Sequence, residues 1–252
     1  MDNKIPIDYI DVALISSTNF NPKKSWIELL NSVDNIYNNF KKSRIDPEEL
    51  HYLIKEESSG TTGVPDVSSI ENLISAINRY LNEYKISDAT FLFFEFKRLC
   101  AIYLFSIGSQ ENSLSMLKEI LSLVEETISK SGSNIDMNMI VLRDCVTLSI
   151  AYLKFWLEEF DESKYLIEKV ITIYETSDYE LYLIKMVNFV SVAFTYLAWI
   201  FTKKNLIDDA EKSFFHSLKI LNTIKSHSKS KFKDDNFIYT KGRKIFIYGK
   251  NI

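Results

Sequence analysis

A chain of 252 residues, 46% hydrophobic and 25% charged, has ordinary globular composition and can bury a core without disulfide or metal staples. Six glycines and four prolines are too few for a many-stranded fold, and nothing after Pro65 breaks a helix. The net charge of −4 is uneven: from residue 223 onward eight basic residues stand against Asp234 and Asp235, giving +6 there and −10 in the preceding 222 residues.

Residues 1–20, which begin MDNKIPIDYIDVALISS, read as irregular. Acidic groups interrupt their apolar part and no basic start precedes it, so they are not a secretion signal. Asn21 and Pro22 then open a helix whose stripe is Trp26, Leu29, Leu30, Val33, Ile36, Tyr37 and Phe40. Asp46-Pro47-Glu48-Glu49 starts a second, short helix, so residues 21–57 form an N-terminal helical pair. The segment 58–67 lies in a Gly/Ser/Thr-rich flexible loop; it lacks the Gly-Lys-Ser/Thr of a phosphate cradle.

Ser68 and Glu71 make a capping box for a helix along Ile70, Leu73, Ile74, Ile77, Tyr80, Leu81 and Tyr84. Ser87 or Asp88 caps the next, in which Phe91, Phe93, Phe94, Phe96, Leu99, Ile102 and Leu104 leave almost no polar side. Cys100 on this helix and Cys145 on a later apolar stretch read as small buried residues rather than a disulfide or redox pair. Residues 186–202 are uncharged, but Asn188, Ser191, Thr195 and Thr202 within them favour a buried helix over a membrane span.

Residues 194–221 carry the strongest pattern. Leu197, Ala198, Phe201, Ala210, Phe214 and Ser217 follow one another at steps of one, three, nine, four and three. The same ladder is met by Cys100, Ala101, Leu104, Ser113, Leu117 and Ile120, with Gly108 at the turn. It returns at Ile150, Ala151, Ser163, Ile167 and Val170, where Lys154 replaces the expected aromatic. This ladder resembles that of tetratricopeptide (TPR) repeats, in which large and small residues interlock where two antiparallel helices cross. Ala198 and Ser217 stand where that family prefers other small residues, and the anchors Ser113, Ser163 and Ala210 lie further apart than the family period of about 34 residues.

The resemblance implies an all-α fold: a TPR-like antiparallel helix-pair array over residues 68–228, about nine helices in the whole chain. Residues 229–252 follow as a basic tail, in which residues 237–248 read as a short C-terminal β-hairpin that needs a partner surface. The resemblance also implies that the first helix of each pair lines a groove. Its residues here are Phe94, Arg98, Ile102 and Phe105, then Leu148, Tyr152, Phe155 and Trp156, then Thr195, Trp199, Thr202 and Lys203. Such a largely aromatic groove suits an apolar helix or extended segment of a protein partner; alternatively, the chain's own N-terminal helices or tail fill it. Members that hold chaperone carboxyl-termini use a Lys/Arg/Asn clamp. Only Arg98 fits it, with Ser149, Val192 and Tyr196 at other clamp positions, so that ligand is not expected.

No residue pattern requires a metal, a cofactor or an active site. His51, His216 and His227 lie far apart, and Glu125-Glu126 and Glu158-Glu159 fall at helix ends or on helix faces. The expectation is a non-catalytic, intracellular scaffold or adaptor in a cytoplasmic or nuclear complex. The alternative is a nucleic-acid-associated factor that uses Lys229, Lys231, Lys233, Lys241, Arg243 and Lys244 of the tail, with Tyr239, Phe246 and Tyr248 available for stacking.

Overall fold

The computed structural model describes Leu29 and residues 67–84, 89–132 and 136–227. Those residues form seven α-helices: α1 (Val67–Tyr84), α2 (Ala89–Ser106), α3 (Gln110–Lys130), α4 (Met137–Trp156), α5 (Phe160–Thr176), α6 (Glu180–Lys203) and α7 (Ile207–His227). The described part is all-helical, as the sequence leads one to expect. Two expected helices (21–42 and 46–55), the loop before residue 67, the hairpin at 237–248 and the tail lysines and arginine lie outside the described residues, apart from Leu29, which is helical.

The chain divides into two compact units, one of residues 19–146 and one of 1–18 with 147–252. In the first, α1 and α3 both pack on α2. Ile70, Leu73, Ala76 and Ile77 of α1 meet Phe96, Cys100, Tyr103 and Leu104 of α2, and Leu29 joins the same cluster. Their spacing is the apolar stripe of an amphipathic helix. The helix α2 is apolar nearly all round and accordingly buries Phe94, Phe96 and every residue from Cys100 to Ser106.

In the second unit, α6 packs against both α5 and α7. Among the described residues it is the one helix long and apolar enough to cross a membrane, yet 61% of its most apolar window is buried. Acidic residues occupy the first turns of α5 (Asp161, Glu162) and α7 (Asp208, Asp209), where they complement the helix dipole.

Three hairpins, α2–α3, α4–α5 and α6–α7, close with the same backbone geometry. Two positions beyond each first helix stands a residue with positive φ: Gly108 (88°), Glu158 (63°) and Asn205 (58°). Each such residue donates its N–H to the carbonyl three residues back, on Phe105, Phe155 and Thr202, at 3.0 Å. The following residue donates five residues back: Ser109 to Leu104 (2.8 Å), Glu159 to Lys154 (2.9 Å) and Leu206 to Phe201 (2.8 Å). This pair of bonds is a Schellman motif, which satisfies carbonyls that a helix end would otherwise leave open.

Small residues then let the two helices of a hairpin touch. The Ser113 hydroxyl donates to the Ala101 carbonyl at 2.6 Å, and Ser163 donates to that of Ala151 at 2.7 Å. All four residues are fully buried. In the third hairpin Ala198 and Ala210 occupy these places without a hydroxyl, at 6% and 5% exposure. There the hydroxyls sit two turns along, where Ser217 donates to the Ser191 carbonyl (2.8 Å) and its oxygen meets those of Ser191 (3.0 Å) and Thr195 (3.2 Å).

The substitution of Lys154 for an aromatic has a local cause. In a Schellman motif the residue before the last turn and the residue after the glycine position commonly make an apolar contact. Phe201 and Leu206 hold those positions in the third hairpin; in the second they are Lys154 and Glu159, which form an ion pair. Lys154 also reaches Glu162 at 3.0 Å, and the hydrogen bond to Glu159 raises its pKa most.

Candidate functional site

The groove residues of the second unit gather around two buried rings. Phe155 of α4 and Tyr196 of α6 meet edge to face with centroids 5.1 Å apart, at 7% and 1% exposure. Three half-buried aromatics surround them: Tyr152 and Trp156 from α4 and Trp199 from α6. Tyr152 stacks on Tyr196 at 4.2 Å, and Trp199 lies 5.0 Å from Tyr196 and 5.8 Å from Phe155. Trp156 meets the Phe155 ring at right angles, 5.4 Å away.

Helical spacing explains the grouping. Tyr152, Phe155 and Trp156 are three and four residues apart, as Tyr196 and Trp199 are three apart, so each set shares one helix face. Hydrogen bonds fix the rim: the Trp156 indole N–H donates to the Tyr196 hydroxyl at 3.3 Å, and the Tyr152 hydroxyl donates to the Phe189 carbonyl at 3.4 Å. The rim therefore presents ring surface already held in place by Phe155 and Tyr196. Phe160 at the start of α5 adds a sixth ring, 5.5 Å from Phe155.

The other predicted groove residues are placed differently. Leu148 and Thr195 are buried, Thr202 is half-buried and Lys203 is exposed. In the first unit Phe94, Arg98, Ile102 and Phe105 are all buried. The Arg98 guanidinium grips Glu95 one turn away, its Nε and Nη2 at 2.9 and 3.1 Å from the two carboxylate oxygens. Burial pushes the Glu95 carboxyl up to about 8 and draws the guanidinium down, while Cys145 acts weakly in the opposite sense on Arg98. Burial also pushes the Cys145 thiol up, and neither it nor Cys100 is in a disulfide.

Tyr196 and Phe160 were not among the expected groove residues. Tyr196 stands at a clamp position of the family that the sequence resembles, although its spacing from Trp199 places both on one face. His216 is exposed on α7 and sets its ring edge-on against Phe194 at 5.2 Å. Among the described residues no three His, Cys, Asp or Glu side chains are grouped to hold a metal ion. No family model, curated protein or solved structure matches the chain.

Proposed function

We propose that this protein is a non-catalytic, intracellular scaffold built of TPR-like helix pairs, a subunit that holds a partner protein on the aromatic rim of Tyr152, Trp156 and Trp199. The observation that carries this reading is the rim itself: three half-buried rings seated on the buried pair Phe155 and Tyr196. Tyrosine and tryptophan offer large contact area at low entropic cost, and rings already fixed by neighbours lose little freedom on binding. An apolar helix or extended segment of a partner is the complementary ligand.

The three equivalent hairpin closures support the repeat-like part of the reading, because repeated helix pairs generate extended binding surfaces. The test is affinity capture from the native cell at raised salt, comparing the wild type with Trp199→Glu after circular dichroism has shown equal helicity. The scaffold reading predicts a stoichiometric protein retained by the wild type and lost with Trp199→Glu. Equal retention by both would remove the rim from the account.

A further inference from the structure

The pairing of α6 with α7 fixes where the chain goes after residue 227. The Ser217 hydroxyl donates to the Ser191 carbonyl at 2.8 Å, and His216 meets the Phe194 ring at 5.2 Å, so residues 217 and 191 lie opposite each other in this antiparallel hairpin. Ten residues further along α7 is His227, and ten residues back along α6 is Leu181. Both helices advance at the same rise per residue, so α7 ends beside the start of α6.

An apolar face lies exposed at that end of α6. Tyr179, Leu181 and Ile184 are 67%, 49% and 51% exposed, and Leu181 and Ile184, three residues apart, share one side of the helix. Three exposed carboxylates flank the face in the chain: Glu175 in the last turn of α5, Asp178 in the connection and Glu180 at the first position of α6. Residues 170–184 contain no lysine or arginine, and Lys185, which follows them, is half-buried. Such a face suits an apolar side chain flanked by positive charge.

We propose that the chain's own residues 228–233, Ser-Lys-Ser-Lys-Phe-Lys, dock across the start of α6, with Phe232 on Leu181 and Ile184 and with Lys229, Lys231 and Lys233 reaching Glu175, Asp178 and Glu180. Charge selects this occupant. Residues 223–233 carry four lysines and no acidic residue. Residues 1–18 carry Asp2, Asp8 and Asp11 against Lys4, and a second copy would set the same three carboxylates against these, so both alternatives bring like charges together. Reach agrees with the choice. The five residues from His227 to Phe232 span up to about 17 Å when extended, whereas the axes of packed helices lie about 8–10 Å apart.

The first lysines of the tail then neutralise the acidic end of the α5–α6 connection and are not free to contact phosphates.

The experiment places a photo-reactive leucine analogue at Leu181 in the full chain and assigns the adducts to single residues by tandem mass spectrometry. A second chain carries Lys229→Glu, Lys231→Glu and Lys233→Glu as well, and a third adds Asp178→Lys and Glu180→Lys to these. The expected result is crosslinking within one chain to residues 228–233, reduced at least several-fold in the second chain and restored in the third. In the wild-type background the same yield should fall as salt is raised, which tests the charge pairing without further substitutions. Crosslinks only between two chains would assign the face to a second copy and overturn the proposal. Crosslinks to residues 1–18, or to no part of 228–233, would overturn it equally, as would a yield indifferent to both charge reversal and salt.

Discussion

The Ser163 hydroxyl donates to the carbonyl of Ala151, twelve residues earlier, at 2.7 Å, as Ser113 donates to Ala101 at 2.6 Å. Each bond joins the two helices of one hairpin, and each serine is 0% exposed. A larger side chain at either site would push the helices apart, while alanine would keep the approach and lose only the bond. Ser113→Ala and Ser163→Ala should each cost about 1 kcal/mol, the usual net worth of such a bond, and Ser163→Leu about 1–3 kcal/mol from overpacking. Ala210→Ser should stabilise the third hairpin by up to about 1 kcal/mol by supplying the missing donor toward Ala198. Urea unfolding of the four variants measures this. A destabilising Ala210→Ser would mean that the third crossing differs from the other two.

The hairpin turns predict a second ordering. Glu158 and Asn205 adopt the left-handed conformation that Gly108 adopts without a side chain. Left-handed backbone costs an ordinary L-residue about 1–2 kcal/mol, and asparagine tolerates it better. Glu158→Gly should therefore raise stability by about 1 kcal/mol, and Asn205→Gly by less. Gly108→Ala should lower it by about 1 kcal/mol through the backbone alone, since an added Cβ there meets nothing within 4 Å. Thermal unfolding of the three variants gives the ranking directly.

These two features mark what the sequence discloses and what it withholds. Ser113, Ser163 and Ala210 stand out because close helix crossings admit only small residues, so the crossing can be found from composition at fixed spacing. Lys154 breaks that pattern, and helical periodicity does not announce the compensation. Its partners Glu159 and Glu162 lie across the turn, and only the Schellman geometry makes Lys154 and Glu159 neighbours. The rim divides the same way. Tyr152, Phe155, Trp156 and Trp199 follow from helical spacing, but the central place of Tyr196 depends on how α4 and α6 meet, which no periodicity encodes. Arg98, expected along a groove, is spent on Glu95 inside its own unit at 1% exposure.

That pair gives stability a pH dependence. Burial raises the Glu95 carboxyl from 4.5 to about 8, so between those values the folded chain binds a proton that the unfolded chain has released. The contribution is fully present below about pH 4.5 and is lost as pH rises through about 8. Glu95→Gln cannot titrate. Its stability relative to the wild type should therefore improve steadily from pH 5 to pH 8.5, as read from urea midpoints. A difference that stays flat across that range would contradict a raised carboxyl at Glu95.

The hydroxyl cluster of the third hairpin supplies another test. Ser217 is 4% exposed and its hydroxyl is the common partner of Ser191 and Thr195. Ser217→Ala leaves those two groups without it and should cost about 1–2 kcal/mol. In the Ser191→Ala/Ser217→Ala pair the loss should fall short of the sum of the single losses, because the two residues share one network. Strict additivity would mean that the cluster does not act as a unit.

The central claim is that a partner protein lies on the rim of Tyr152, Trp156 and Trp199. With Trp26 replaced by phenylalanine, Trp156 and Trp199 are the remaining tryptophans. Their quenching by iodide can then be compared in the isolated chain and in its purified complex with the captured partner. A several-fold fall in quenching on complex formation is the predicted result. Unchanged quenching in a complex that remains intact would place the partner elsewhere and contradict the account.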